Sequence, residues 1–362
     1  MAYTAYELEF LPVGDGERSG DAIIARFVSD DGSWRTLVVD GGTKDSGTAI
    51  LEHVRRHYGT NLINDVVNTH PDSDHASGLR VVLENMDVGA LWMHRPWEHS
   101  SEIRHAFDDA RITCTSLEAR IRKALVCAHE LHELANSRGI PQMEPFFGSQ
   151  IGPFTVLGPT RPYYQALLPH FRCTPEASTE PPTNAQSLGD FLKEIFGRGA
   201  ESWGFETLRE GGQTSAENQS SVVMFAEVAG QGILLTGDAG VDALSNAMDF
   251  APAIGIDLTK LRTIQIPHHG SRNNVSPSLL DRLLGPKLFM GGSRGISAIA
   301  SASADSQTHP RRVVTNAFKR RGCKVFQTRG NIHCNRLNMP ERDGWFDAPE
   351  IPFHPEVEAY DD

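Results

Sequence analysis

Short apolar runs alternate with longer amphipathic segments along the 362 residues of this chain. Because each run is bounded by glycine, proline or other turn residues, the runs predict strands. The predicted strands cover residues 7–13, 22–27, 36–39, 65–69, 88–93, 154–157, 220–228, 231–236, 263–267, 286–290 and 324–328. Apolar positions spaced three and four apart predict helices at 47–57, 76–85 and 310–321. Strands interleaved with helices in this way are typical of an α/β fold.

Two long segments interrupt that alternation. Residues 101–138 keep a helical spacing of apolar positions, which predicts a helical insertion at about 100–140. Residues 174–219 are rich in proline, glycine, serine and threonine, with one short helix predicted at 188–196. Long stretches of this kind inside a domain are usually functional or disordered, so a mobile loop is expected. We therefore expect a single domain over 1–340, followed by an acidic and loosely packed C-terminal tail over 341–362.

The turn between the strand predicted at 65–69 and the helix predicted at 76–85 is dense in side chains that bind metal ions. Within six positions it holds His70, Asp72, Asp74 and His75. Such groups are costly to bury at a strand end without a partner, and a metal ion removes that cost. A polar turn with a capping aspartate is the alternative, but capping requires only one aspartate and no histidine. The turn therefore predicts half of a metal site at the edge of a sheet.

Three other strand ends carry similar groups. Asp40 precedes two glycines, and Asp238 follows Gly237 after the strand predicted at 231–236. Glycine permits the tight backbone that aims an aspartate at a neighbouring site. His268 and His269 leave the strand predicted at 263–267, where adjacent residues point to opposite sides. One of these histidines is therefore expected to bind metal while the other faces substrate.

Two further features, the glycine-rich segment at 14–21 and His94, can each be interpreted in two ways. The glycine-rich segment at 14–21 suggests a phosphate-binding loop, but the segment after it predicts a strand, which favours a simple hairpin. His94 follows the strand predicted at 88–93, at the same sheet edge as the turn at 70–75. It is either a metal or substrate contact or an ordinary histidine at a strand end.

Composition and charge narrow the class of protein. With 39% apolar and 22% charged residues, the sequence is typical of a globular protein. It has no signal-like N-terminus and no run of about 18 apolar residues, which predicts that it does not enter a membrane. Five cysteines without a CxxC pair favour reduced thiols and a cytoplasmic location.

The net charge of −12 disfavours binding to polyanions unless a local basic surface reverses the field. Such a surface is predicted near the last helix, from Arg311, Arg312, Lys319, Arg320, Arg321, Lys324 and Arg329. The alternative interpretation of this basic run is a solvated helix face.

The ordered motifs resemble the metallo-β-lactamase superfamily, and most closely its ComEC-type branch, named after the hydrolase domain of DNA-uptake proteins. The resemblance extends over roughly residues 6–335, including Ser297-Ala298 and His309-Pro310. It implies a four-layered αββα sandwich with the site at one rim. By position it implies one metal at His70 and Asp72, a second at Asp74 and His75, Asp238 as a bridge, and His269 as the remaining ligand. His268 is then the substrate contact or proton donor.

This sequence departs from the superfamily pattern at several points. Many relatives have histidine where Asp72 stands, and the extra carboxylate shifts the preference from zinc toward manganese or magnesium. No histidine in an obvious context stands between the turn at 70–75 and Gly237, so the first metal is expected to be weakly held. ComEC-type proteins carry this domain in a membrane channel. This chain lacks such a segment, so a stand-alone soluble hydrolase is expected and transport is not implied.

The resemblance implies a metal-dependent phosphodiesterase or nuclease acting on DNA. Two divalent ions, zinc or manganese, about 3.5–4 Å apart would hold a hydroxide as the nucleophile. Asp74 is expected to touch metal and water, and His268 or His309 to protonate the leaving alkoxide. Two alternatives stay open: hydrolysis of a small ester, cyclic nucleotide or lactam, and a non-catalytic metal-binding interaction module. The sequence indicates no partner protein.

Overall fold

Two seven-stranded sheets form the centre of the molecule in a computed structural model that describes residues 2–14, 20–175 and 198–360. The strands are β1 (Tyr3–Phe10), β2 (Ala22–Ser29), β3 (Trp34–Gly41), β4 (Leu62–Asn68), β5 (Asp87–Met93), β6 (Gln142–Met143), β7 (Gln150–Ile151), β8 (Phe154–Gly158), β9 (Arg198–Ala200), β10 (Val223–Val228), β11 (Gln231–Leu235), β12 (Leu261–Gln265), β13 (Ile296–Ala300), β14 (Cys323–Gln327), β15 (His333–Leu337) and β16 (Glu356–Glu358). The first sheet has the order β15-β1-β2-β3-β4-β5-β6, and the second has the order β14-β13-β12-β11-β10-β8-β7.

Each sheet combines an antiparallel half with a parallel half. In the first sheet, β1 to β3 form antiparallel pairs, and β3 to β6 run parallel. In the second sheet, β8, β10 and β11 pair antiparallel, and β11 to β14 run parallel. Neighbouring parallel strands end on the same side of a sheet, where α/β proteins place ligands. The ends of β3, β4, β11 and β12 therefore supply the candidate site.

Helices cover both outer faces of the paired sheets. They are α1 (Lys44–His53), α2 (Ser73–Asn85), α3 (Ser100–Ile103), α4 (Cys114–Ala124), α5 (Val126–Ser137), α6 (Arg161–Leu167), α7 (Ala216–Gln219), α8 (Val241–Phe250), α9 (Pro277–Leu284) and α10 (Arg312–Arg320). One apolar core lies between the sheets, with Phe27, Phe154 and Met224 among its members. Two others lie under the helices, one on each sheet. The predicted αββα sandwich is confirmed, and the helical insertion at about 100–140 forms α3 to α5.

A close approach of backbones sets the position of α2, the helix that begins inside the metal-binding motif. A Cβ atom on Gly78 would overlap the carbonyl oxygens of Gly41 and Thr43, and one on Gly41 would overlap the amide nitrogen of Leu79. Only glycine permits this contact. The first turn of α2, which carries Asp74 and His75, is thereby held against the end of β3.

The predicted strand at 286–290 is wrong. That segment has no strand, and the side chains of Phe289 and Met290 are 80% and 70% exposed. The strand of this region is β13 (Ile296–Ala300), which pairs with β12 and β14. Gly291 and Gly292 follow the apolar residues directly, so the short apolar run ends in a turn instead of entering the sheet.

The expectation of a mobile loop over 174–219 does not hold for residues 198–219. β9 pairs with β16, and the carboxylates of Glu201 and Glu206 are buried in ion pairs. The helix predicted at 188–196 lies outside the described residues. The same pairing shows that residues 351–360 are packed, because Ile351 and Val357 are buried against the core under the second sheet.

Part of the basic run near α10 does not form an open positive surface. Arg320 and Arg321 have fully buried side chains, and they pair with Glu201 and with Glu206. Among the remaining members, Lys319 pairs with Glu350, Arg312 donates to the carbonyl of Glu356, and Arg329 donates to the carbonyls of Ser306 and His309. The prediction that this run offers DNA a positive surface is therefore wrong for Lys319, Arg320 and Arg321, whose charges are paired within the protein, and it stays a prediction for the other members.

None of the helices in the described ranges combines the length and the apolar character that are required to cross a bilayer.

Candidate metal centre

Three strand ends bring the predicted ligands to one rim of the sandwich. His70 and His75 follow β4, Asp238 follows β11, and His268 and His269 follow β12. The two sheets meet closely at this point. Gly237 has φ +50°, and a Cβ atom there would lie 2.9 Å from the Thr69 hydroxyl. The turn that carries Asp238 can therefore lie directly against the turn that carries His70.

Four imidazoles converge on the carboxylate of Asp238. Their Nε2 atoms lie 3.5 Å (His75), 3.6 Å (His268), 3.7 Å (His70) and 3.8 Å (His269) from Oδ2 of Asp238. These distances exceed the usual limit of about 3.2 Å for a hydrogen bond. Two ligand atoms at about 2.1 Å from one tetrahedral ion lie roughly 3.4 Å apart. The observed spacing is thus close to that of atoms that share a metal ion.

Several atoms in this cluster are buried without a partner. They include Nε2 of His70, Nε2 of His75 and Oδ1 of Asp238. Buried polar atoms are nearly always hydrogen-bonded, so unpartnered atoms that face one point indicate a bound group. Imidazole and carboxylate are ligands that divalent metal ions accept. The donor set therefore fits a pair of divalent cations.

The electrostatics of the cluster suit cation binding. Burial raises the pKa of Asp238, but the imidazoles of His268 and His75 outweigh it and hold that pKa well below its usual range. Burial lowers the pKa of His70, and it lowers the pKa of His269 to about 4. At neutral pH Asp238 is therefore ionised and these two histidines are neutral, which are the states that bind metal.

His75 differs from the other histidines because it lies between two carboxylates. Burial lowers the pKa of His75, but Asp238 and Asp40 raise it well above the usual range. Its Nδ1 is 2.8 Å from Oδ2 of Asp40. Asp40 also accepts hydrogen bonds from the backbone and the hydroxyl of Thr69. Asp40 therefore orients His75 and the motif turn, as carboxylates beside metal-bound histidines commonly do.

His268 and His269 differ in the contacts that hold their rings. Both have positive φ, +48° for His268 and +57° for His269, a conformation that persists only where surrounding structure imposes it. Nδ1 of His268 lies 2.8 Å from Oδ1 of Asn274, a contact that leaves Nε2 free to bind a cation. Nδ1 of His269 is buried without a partner, and its Nε2 accepts a hydrogen bond from Gly20 N–H at 3.3 Å. This pattern favours His268 over His269 as the ligand.

The two aspartates of the motif lie in different environments. Asp74 groups with His75 and His269, with ligand atoms within 4.8 Å of one another. Asp72 belongs to no such group in the described ranges. Its oxygens lie 2.7 and 2.8 Å from Nη2 of Arg172. The structure thus brings five of the six predicted ligands together and holds Asp72 at the rim, paired with an arginine.

The two predicted proton donors, His268 and His309, lie beside each other. His309 stacks beside His268 with ring centroids 6.2 Å apart. Burial, together with His268 and His269, lowers the pKa of His309 well below its usual range.

His94 packs on Tyr164 with ring centroids 4.4 Å apart and belongs to no metal-binding group in the described residues. Burial lowers the pKa of His94 to about 3. Of its two interpretations, the structure supports an ordinary buried histidine.

Comparison with known protein families identifies the motif half of this site. Residues 26–124, which include β3, β4 and all of α2, match the Metallo-beta-lactamase superfamily. This stretch of the chain is similar to the Metallo-beta-lactamase superfamily. Members of this superfamily are typically hydrolases with two divalent metal ions, often zinc, and the cluster around Asp238 has the residue types that such ions require. The match does not extend to the ComEC-type branch.

Several solved structures resemble the chain at low identity. A mutant of CmlA beta-hydroxylase shares 11% identity over 92% of this chain and 54% of its own, with a TM-score of 0.42. A metallo-beta-lactamase from Hirschia baltica shares 14% identity over 68% of this chain and 86% of its own, with a TM-score of 0.29. A beta-lactamase domain protein from Burkholderia ambifaria shares 15% identity over 74% of this chain and 69% of its own, also with a TM-score of 0.29. This chain thus spans about half the length of the hydroxylase. No curated protein matches the sequence significantly.

Asp21 links the two halves of the site and was not predicted from the sequence. Asp21 is fully buried, and its burial raises its pKa to about 7. Oδ2 of Asp21 accepts a hydrogen bond of 2.8 Å from Gln265. Gln265 in turn accepts hydrogen bonds from the backbone of Thr236 and Gly237, next to Asp238. The dipeptide Gly20-Asp21 repeats the pattern of Gly237-Asp238, and that repeat was the available signal.

Two asparagines were also missed. Asn274 contacts His268 and donates to the carbonyl of Asp238 at 2.8 Å. Asn218 lies 3.2 Å from Nδ1 of His268. It lies in α7, shortly before β10. Asparagine gives no metal signal in a sequence, so only the fold reveals these contacts.

Proposed function

We propose that this chain is a metal-dependent hydrolase that cleaves phosphodiesters. The observation that carries the proposal is the convergence of four imidazoles on the buried carboxylate of Asp238 at 3.5 to 3.8 Å. A binding module without activity does not require this many ligand atoms around one open point. The implied cofactors are two divalent ions, zinc or manganese.

Each ligand has a defined role in the proposal. His70 and His75 would hold the ions from the first sheet, Asp238 would do so from the second, and His268 and Asp74 would complete the set. Bound divalent ions would supply Lewis acidity and a nucleophile derived from water. The protein fixes the ligand geometry, with Asp40 orienting His75 and Asn274 orienting His268. Asp74 is half-buried and borders both the cluster and solvent, which suits a carboxylate that orients water.

The ligand chemistry favours a phosphodiester over a lactam or a simple ester. Asp74 and Asp238 lie in the cluster, and Asp72 lies at its rim. Carboxylates are hard ligands and favour cations that also prefer phosphoryl oxygens. A phosphodiester offers two non-bridging oxygens that share one negative charge, which a pair of divalent ions can neutralise.

His309 is assigned as a hydrogen-bond donor to the leaving oxygen, and the proton that this oxygen takes up comes from water. If Nε2 of His268 binds an ion, it cannot also carry a proton, which leaves His309 from the predicted pair. The pKa of His309 lies well below its usual range because the side chain is buried beside His268 and His269. His309 is therefore neutral at pH 7 and acts through an N–H hydrogen bond, as a weaker donor than an imidazolium.

The size of the substrate divides the proposal in two. DNA was the first substrate suggested by the sequence, and it requires a positive surface to offset the net charge of −12. Arg320 and Arg321 are buried in ion pairs, so they contribute no such surface. A small phosphodiester, such as a cyclic nucleotide, needs only the metal centre. The buried arginines therefore favour the small substrate as a second candidate.

A substrate panel tests the proposal. The full chain is loaded with manganese or zinc and assayed on bis(p-nitrophenyl) phosphate, cyclic nucleotides, plasmid DNA, single-stranded DNA and a chromogenic β-lactam. We expect metal-dependent cleavage of at least one phosphodiester and none of the β-lactam. If the small diesters are cleaved and the DNA is not, the result would select the cyclic-nucleotide class. Cleavage of DNA would select the nuclease.

A matched variant keeps the assay specific. Asp249 lies on the exposed face of α8 and pairs with Arg282, away from the cluster. Asp249→Ala should therefore cleave as the wild type does, whereas Asp74→Ala should not. Hydrolysis of the β-lactam alone, or equal activity in Asp74→Ala and wild type, would contradict the proposed function.

A further inference from the structure

The second position of the metal-binding motif is held by an arginine instead of facing the cluster. Nη2 of Arg172 lies 2.7 Å from Oδ1 and 2.8 Å from Oδ2 of Asp72. Both carboxylate oxygens are therefore engaged. The side chain of Asp72 is 24% exposed, so the pair sits at the rim and not in the core.

The position of Arg172 is set by its backbone and by a second acid. Its N–H donates to Oε1 of Glu217 at 2.6 Å, and its Nε lies 3.2 Å from the same oxygen. Glu217 is buried, with a side chain only 1% exposed. Removal of the Arg172 side chain leaves the backbone bond intact, so the chain path does not depend on the guanidinium.

Asp72 lies slightly farther from His70 than Asp238 does. Its Oδ2 is 4.0 Å from Nε2 of His70, compared with 3.7 Å from Nε2 of His70 to Asp238. The Nε2 atom of His70 is buried without a partner and faces the space that Asp72 borders. A rotation of the Asp72 side chain would bring an oxygen to an ion at His70, and the same rotation would break the contact with Arg172.

We propose that Arg172 competes with the metal ion for Asp72 and thereby weakens the cation position beside His70. This inference rests on the proposed two-metal hydrolase. Arg172 is a positioning residue, because it acts on the ion only through Asp72. The position beside His70 is then the weaker and more exchangeable of the two, and its affinity is set by an ion pair outside the ligand set.

A double-mutant cycle separates this competition from simple charge repulsion. Removal of Arg172 also removes a positive charge near two cations, which strengthens binding whether or not Asp72 is involved. In an Asp72→Asn background only that repulsion remains. The extra gain in the Asp72 background therefore measures the competition.

The experiment titrates metal-free full-length protein with manganese and with zinc against a competing chelator. It compares wild type, Arg172→Ala, Arg172→Lys, Asp72→Asn and the double variant Asp72→Asn with Arg172→Ala. The free energy of an exposed ion pair corresponds to a few-fold change in affinity. We expect Arg172→Ala to lower the Kd of the weaker site by about two- to fivefold, with a smaller decrease in the Asp72→Asn background. Arg172→Lys should fall in between, since lysine keeps the charge without the planar fork.

Arg161→Ala is the matched control. Arg161 is similarly exposed and pairs with Glu144 at 3.5 Å, so its removal deletes one positive charge without touching Asp72. Its Kd values should stay at the wild-type level. Arg172→Ala also leaves the buried carboxylate of Glu217 without its ion-pair partner, so thermal unfolding of each metal-free variant is measured in parallel and Kd values are compared at a temperature where every variant is folded.

Equal decreases in Kd in the Asp72 and Asp72→Asn backgrounds would overturn the inference, as would an equal decrease in Arg161→Ala. In both cases wild type would still bind two ions, and the proposed function would stand. If wild type binds no manganese and no zinc, the proposed function itself fails, and the inference fails with it.

Discussion

Two buried clusters of charged side chains lie close to the second sheet, and they differ in how their atoms are partnered. One surrounds Asp238, which is 3% exposed, and the other surrounds Arg321, which is fully buried. Every guanidinium nitrogen of Arg321 has an acceptor: Asp281, Glu206, or the carbonyls of Ala317 and Pro277. Around Asp238, by contrast, ligand atoms face one another at 3.5 to 3.8 Å without bonding.

The difference distinguishes a structural cluster from a functional one. A buried charge that is fully hydrogen-bonded is compensated within the protein, and it anchors the segments that supply its partners. A buried cluster with unpartnered atoms is compensated only when something else binds. Arg321 ties the segment after β9 to α9 and α10, whereas the atoms around Asp238 are directed at a shared point. Four substitutions can break or sharpen this contrast.

The largest effect is expected at Asp238. Asp238→Ala removes the carboxylate on which the four imidazoles converge, and turnover should fall by more than about 10³-fold. The metal-free variant should remain folded, because the deletion relieves a buried charge. Steady-state assays and circular dichroism check both parts. Turnover within tenfold of wild type would show that the cluster is not the catalytic centre.

The next effect is on stability and belongs to Arg321. Arg321→Met leaves Glu206 buried and paired only with Lys287. Removal of one partner of a buried ion pair typically costs about 3–5 kcal/mol, and urea denaturation should show a loss of this size. Arg282→Met is the control, since the exposed Arg282 pairs only with Asp249 and should cost less than about 1 kcal/mol. Bound metal per folded chain should not change, and a loss of metal in Arg321→Met would break the contrast.

Asp40 tests the support behind the ligands. Asp40→Asn keeps the shape of the side chain but removes the charge that orients His75 at 2.8 Å. Loss of such a supporting carboxylate typically costs about 10–100-fold in metal affinity. Titration with zinc against a chelator measures this change, with the exposed Asp45→Asn as control. An unchanged Kd would remove Asp40 from the account of the site.

The smallest effect is expected at His269. His268 has Asn274 behind its ring, whereas Nε2 of His269 is engaged by Gly20. His269→Ala should therefore shift the metal Kd by less than His268→Ala, and it should leave both ions bound. Metal content after dialysis separates the two variants. Loss of an ion from His269→Ala but not from His268→Ala would restore the ligand order predicted from the sequence.

The sequence predicted the parts of the site that local patterns encode. A dense set of ligand side chains after a buried run defines the turn at His70, and the Gly237-Asp238 dipeptide marks the opposite turn. Apolar periodicity placed ten of the fourteen strands in the two sheets and missed β6, β7, β13 and β15. It failed at 286–290, where an apolar run stays exposed because the glycines after it end the segment in a turn.

Partnerships between distant segments could not be predicted in the same way. Arg320 and Arg321 looked like part of a positive surface because a helical pattern does not show that Glu201 and Glu206 fold back onto them. Asp72 looked like a ligand until the fold placed Arg172 beside it, a hundred positions along the chain. Asp21 was overlooked because its role depends on Gln265 in the other sheet. Each of these is a long-range pairing, and hydrophobic periodicity carries no information about it.

Metal content tests the central claim most directly. The full chain is stripped with chelator, reloaded with zinc or manganese, dialysed and measured by elemental analysis, with Asp238→Ala in parallel. We predict about two ions per wild-type chain and a marked loss in Asp238→Ala. Fewer than about one ion per wild-type chain, or equal metal content in Asp238→Ala, would contradict a two-metal centre built around Asp238.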